Sequence, residues 1–174
     1  VGTYTAVPLG VPPTTGLRYV VVLVMNGNLD SGANASVTGV TIGGVAASLE
    51  VGASAQFDGA SIWIASIPTG TVADVVVNFA SPSRANAIVV FTTYGITATV
   101  HAVSSQGDSE TSNPSITLHT AAGGFAFVVA AWLDANPTNI VTFGPLLSGI
   151  TATSYQNIVM YNGSSVYNTN PLSI

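Results

Sequence analysis

The sequence contains no cysteine and no lysine. The missing cysteine excludes a disulfide framework and any thiolate-held metal, while leaving the compartment open. The missing lysine leaves Arg18 and Arg84 as the fixed cations, against seven carboxylates, for a net charge of −5. Nucleic-acid binding draws its affinity from several cations that displace counterions from phosphates. Two arginines cannot form such a patch, so no nucleic-acid partner is expected, and an anionic membrane surface is disfavoured for the same reason. Charged residues make up only 5% of the chain, against about 25% in an average soluble domain.

Long apolar runs are missing too. "YVVVLVM" (19–25) and "GFAFVVAAWL" (124–133) both fall short of the ~20 residues that a membrane helix needs, so no membrane insertion is expected. No basic segment followed by an apolar stretch opens the chain, so no signal peptide is expected in it, and the start at Val1 reads as processed or trimmed. The helix formers Leu, Glu, Lys, Gln and Arg are scarce. Val, Ile, Thr, Tyr and Phe dominate, and these fit the pleated surface of a strand.

The 174 residues suit a single domain spanning 1–174 with a real core. Turn residues recur at the spacing of an all-β sandwich or barrel. The pattern predicts strands over 3–7, 18–25, 36–42, 45–51, 61–67, 71–79, 87–94, 97–104, 115–120, 125–132, 140–143, 151–160 and 164–167. That is about a dozen, which favours two packed antiparallel sheets, jelly-roll-like, over a small barrel. In "GVTIGGVAASLEV" Gly43 and Gly44 supply the positive φ of a tight hairpin turn. In "SIPTGTVADVVVNF" Pro68 presets φ and Gly70 takes the left-handed position. The return strand then alternates, with Val75, Val77 and Phe79 on one face and Asp74, Val76 and Asn78 on the other. "GITAT" occurs at 95–99 and again at 149–153. Poor matching around both copies makes chance a better account than duplication. At the C-terminus, "NPLSI" reads as the opening of a further strand. Either the natural chain continues, or this segment pairs with a neighbouring subunit; the intact mass of the natural protein separates the two.

Chemistry-bearing patterns are sparse. His101 and His119 stand 18 residues apart without a metal-ligand spacing, so neither a metal nor a cofactor is expected. "NGNLDSG" (26–32) alternates oxygen-bearing residues as a calcium loop does, but its glycine is one place late and Val37 stands where the bidentate Glu belongs. It and "QGDSE" (106–110) read as polar loops. No G-x-S-x-G elbow, Walker loop or dinucleotide fingerprint occurs. Glu50 falls in a strand pattern and the other acids in or near loops, with nothing to pair two of them across a sugar. The chain therefore reads as no enzyme, with a glycan hydrolase kept as a third reading on fold analogy alone. Trp132 ends a predicted apolar strand beside "LDANPTN", and Tyr155, Tyr161 and Tyr167 follow. Trp132, Asp134 and Asn136 are thus the candidate glycan-binding residues, against the ordinary alternative that the aromatics pack a sheet. Trp63, inside "IWI", reads as core.

The segments "VTGVTIGGVAASLEV", "SIWIASIPTGTVADVVVNF" and "RANAIVVFTTYGI" together resemble β-sandwich modules in structural proteins of tailed bacteriophages and prophages. The shared order is a V-T-I-G-G-V hairpin, a Trp-containing strand, P-T-G-T, a Val-rich strand and an aliphatic strand ending in Gly. It covers roughly residues 17–96 and consists of core and turn positions. The resemblance implies a non-enzymatic virion component: capsid decoration, head spike, or tail or fibre module. It also implies a virion-surface or extracellular location, with assembly into a homo-oligomer and onto other virion proteins. It carries over no catalytic residue. The rival is a carbohydrate-binding adhesin or receptor-binding module directed at a host-surface glycan.

Overall fold

A computed structural model describes residues 1–27, 36–54, 58–83, 85–95, 127, 129, 132–134, 157–161 and 164–168. These contain strands and turns and no helix. The strands are β1 (Gly2–Pro8), β2 (Arg18–Gly27), β3 (Val37–Ile42), β4 (Val45–Ala46), β5 (Ser48–Ser54), β6 (Asp58–Ser66), β7 (Val72–Phe79) and β8 (Ala85–Tyr94), followed by β9 (Trp132–Asp134), β10 (Asn157–Tyr161) and β11 (Ser164–Asn168). They form two four-stranded antiparallel sheets, ordered β1-β7-β3-β4 and β5-β6-β2-β8, and a three-stranded sheet ordered β11-β10-β9.

The two four-stranded sheets share one core. Val20, Val22 and Val24 of β2 and Trp63 and Ala65 of β6 meet Val40 and Ile42 of β3 and Val75 and Val77 of β7. Each set alternates along its strand, so each sheet turns one apolar face inward. The expected alternation in β7 is present: Val75 and Val77 are buried, while Asp74 is exposed. β2 departs from simple alternation. Val21, Leu23 and Met25, on its other face, are buried as well. Phe127 and Val129 lie against Val21, Leu23 and Ile62, and the Phe127 ring sits 5.4 Å from that of Phe91. A strand covered on both faces reads as an unbroken apolar run, which is why "YVVVLVM" shows no period of two.

The turns follow their glycines. Gly43 and Gly44 have φ of 57° and 81°, and Gly70 has φ of 79°. β4 and β5 belong to different sheets although Ala47 alone separates them. The expected strand 45–51 is therefore two strands. The chain changes sheet at Ala47, whose N–H bonds the Val40 carbonyl at 2.9 Å.

Other boundaries also move. β6 begins at Asp58 and β5 runs to Ser54, so both ends of "GASAQFDG" are strand rather than loop. The expected strand 125–132 is corrected: Phe127 and Val129 lie outside any strand, and Trp132 begins β9 instead of ending its predecessor. The apolarity there reports packing on the β2–β6–β8 sheet, and packing alone does not require a ladder. β9 pairs with β10 in parallel, which departs from the all-antiparallel expectation. The expected strands 97–104, 115–120 and 140–143 lie outside the described residues.

Candidate functional site

The glycan-binding candidates fall on the smallest sheet. Trp132 and Asp134 occupy alternate positions of β9, in register with Val159 and Tyr161 of β10. β10 pairs in turn with β11, where Tyr167 stands opposite Ile158. The topology thus brings Trp132, Asp134, Tyr161 and Tyr167 into one sheet. Asn136 and Tyr155 lie outside the described residues, as do His101, His119, Asp108 and Glu110. Among the described residues no group of three or more His, Asp or Glu side chains comes together. Glu50 sits on β5 in one sheet and Asp74 on β7 in the other. The Asp74 carboxylate is engaged structurally, accepting the N–H of Ala6 at 2.8 Å.

The most constrained polar group is one the sequence did not single out. Arg18 opens β2 and is fully buried. Its guanidinium donates to four main-chain carbonyls: Nε to Ile67 at 2.6 Å, Nη1 to Gly10 at 3.0 Å, and Nη2 to Thr69 at 2.6 Å and Gly70 at 2.8 Å. A planar fork can meet carbonyls spread around it; a lysine ammonium, a single point of charge, cannot reach the same set. Arg18 therefore ties the segment after β1 to the Pro68-Thr69-Gly70 turn. Main-chain bonds complete the tie, from Leu9 N–H to Thr71 O at 2.9 Å and from Ile67 N–H to Arg18 O at 3.1 Å.

Around this staple the surface mixes exposed threonines with large apolar side chains. Val11 is 76% exposed, Val72 54%, Leu17 51% and Tyr94 45%. Tyr94 is held there by its hydroxyl, which donates to the Val11 carbonyl at 3.1 Å. Leu17 is held by the Gly95 N–H, which bonds its carbonyl at 3.3 Å. The opposite end of the shared core is capped by polar groups. The Tyr4 hydroxyl donates to the Asn86 side-chain oxygen. Trp63 Nε1 donates to Ser61 Oγ at 2.9 Å, and Asn26 is buried beside them on β2. Trp63 is core, as its setting in "IWI" suggested.

The described residues offer a stapled end with exposed apolar side chains, sheet edges, and a small sheet that carries aromatic residues. Only pattern could have flagged Arg18 from the sequence: one of two cations placed directly before the apolar run 19–25. Comparison with known proteins finds no matching family model, no matching curated protein and no matching solved structure.

Proposed function

We propose that this chain is a non-enzymatic structural module of a virion, a capsid-decoration, spike, tail or fibre component that works by assembly. The observation that carries the reading is the fate of residues 17–96, where the resemblance to phage β-sandwich modules lies. That region supplies β2–β8, and its signature residues take up core and turn positions: Trp63, Val75 and Val77 in the core, Gly43, Gly44 and Gly70 in the turns. A jelly-roll-like sandwich of about a dozen strands extends the same reading. What supports it is the order of the sheets, in which β7 lies between β1 and β3, and β2 between β6 and β8. The charge-poor composition and the stapled apolar end supply the contact surface for a homo-oligomer and for other virion proteins. The location that follows is the virion surface. The deciding experiment is quantitative mass spectrometry of purified particles from the source. A fixed copy number per particle is expected; a chain absent from the particles ends the proposal.

One observation favours a second reading, a host-glycan-binding module. Trp132 and Asp134 share a three-stranded sheet with Tyr161 and Tyr167. A glycan array of the intact chain, repeated with Trp132→Ala, tests it. Saturable binding lost in the variant supports it, and no saturable binding removes it.

A further inference from the structure

The sequence places glycine directly after asparagine twice, at Asn26–Gly27 and Asn162–Gly163. Asparagine is a thermolabile residue, and a following glycine leaves its main-chain nitrogen unhindered by any side chain. Asn26–Gly27 also opens the stretch of alternating oxygen-bearing residues at 26–32, and the structure gives it a strand setting. The two residues close β2. Asn26 stands opposite Gly59 of β6 on one side and Asn86 of β8 on the other.

Asn26 is 1% exposed and alternates along β2 with the core residues Val20, Val22 and Val24. Its amide fills the space over Gly59, where a Cβ would come within 3.2 Å of Oδ1 and 3.3 Å of Nδ2. Side-chain hydrogen bonds close this end of the sandwich. The Tyr4 hydroxyl, from the other sheet, donates to the Asn86 side-chain oxygen. The Ser83 hydroxyl donates to the Gly27 carbonyl at 3.2 Å. Strand ends held by a few such bonds open locally at less cost than the sheet centre.

We propose that Asn26 is a latent modification site, which deamidates when the polar end closed by Tyr4, Asn86 and Ser83 opens locally. The Gly27 nitrogen loses its proton to solvent and bonds to the Asn26 side-chain carbonyl carbon. The bond from that carbon to the amide nitrogen breaks, and ammonia leaves with a proton taken from water. Water then opens the cyclic imide at either carbonyl, giving aspartate or isoaspartate. No electrons are exchanged, and water is the one co-reactant. In the closed fold the extended backbone and the packing over Gly59 keep the ring from forming. Either product leaves a carboxylate at a buried position, which is costly without a partner. Arg18 cannot supply one, since it lies at the other end of β2 and is held by four carbonyls. Each opening that reacts therefore weakens the closure of that end for good. This inference stands apart from the assembly and glycan readings.

The test incubates the intact chain at neutral pH in buffer, in urea well below the unfolding transition, and in fully denaturing urea. Peptide mapping with isoaspartate detection reads positions 26 and 162 separately. Asn26 is expected to convert about a hundredfold faster in denaturing urea than in buffer. Buffer and low urea are expected to give equal rates, because a local opening exposes little new surface. Tyr4→Phe and Gly59→Ala, each with native circular dichroism, are expected to raise the buffer rate about fivefold or more and to leave the rate in denaturing urea unchanged. Four results overturn the proposal. Asn26 fails to convert in denaturing urea; buffer and denaturing urea give the same rate; the rate climbs steeply through low urea, which assigns the gate to global unfolding; or Tyr4→Phe converts no faster than the parent in buffer.

Discussion

Replacing Arg18 by methionine tests whether a lone guanidinium organises one end of the sheets. Methionine fills a similar volume and removes the charge with its desolvation cost, which alone would stabilise. The four carbonyls stay, because they belong to the main chain at Gly10, Ile67, Thr69 and Gly70. That separates this case from swapping an ion pair for an apolar pair, where both polar partners leave together. Each hydrogen bond to a charged group contributes ~1.5–3 kcal/mol net. The bond to Ile67 is buried and counts in full; the other three are part-buried, so water can replace some of their value. The expected loss is about 3–5 kcal/mol. With a urea slope of ~2 kcal/mol/M, the unfolding midpoint falls by about 1.5–2.5 M with the slope unchanged. Arg18→Lys is expected to restore less than half of this, since an ammonium cannot span the same acceptors. A methionine variant within about 1 kcal/mol of the parent refutes the reasoning, because that is no more than one ordinary hydrogen bond. A lysine variant equal to the parent refutes the part of it that depends on a planar fork.

Two further outcomes follow from single contacts. Ser61→Ala leaves the buried Trp63 indole N–H without its 2.9 Å acceptor and is expected to cost about 1–2 kcal/mol in the same urea titration; an unchanged midpoint contradicts it. Ala6→Gly relieves a left-handed alanine at φ 52° in the β1 bulge. The relief of ~1–2 kcal/mol outweighs the added freedom of the unfolded chain, so thermal unfolding is expected to shift upward, and a lower melting temperature contradicts the strain.

Much of this fold is written in local pattern. β2, β3, β7 and β8 lie within two residues of the segments their composition marks, because their apolar runs and flanking turn residues agree. The glycines at 43, 44 and 70 adopt the positive φ their turns require. What local pattern misses is set by partners far along the chain. Arg18 is defined by acceptors on the loop before it and on a turn about fifty residues later. The break at Ala47 follows from a change of sheet, and the stretch 45–51 has nothing in its own alternation to announce it. Phe127 and Val129 look like strand residues because burial alone selects for apolarity. For the glycan candidates, the sequence places Trp132 and Asp134 near one another, and the backbone adds that the pair share a strand paired to β10.

Of the chain's crossings between the two large sheets, the one at Ala47 is the shortest, a single residue. On the β4–β5 side the sheets are joined by covalent chain, so neither can slide a residue past the other there. On the far side β1 and the segment after it are fastened to β8 by tyrosine hydroxyls, Tyr4 to Asn86 and Tyr94 to Val11. One margin is thus held by main chain and the other by side-chain hydroxyls. A substitution at either tyrosine therefore loosens one margin and leaves the Ala47 crossing intact.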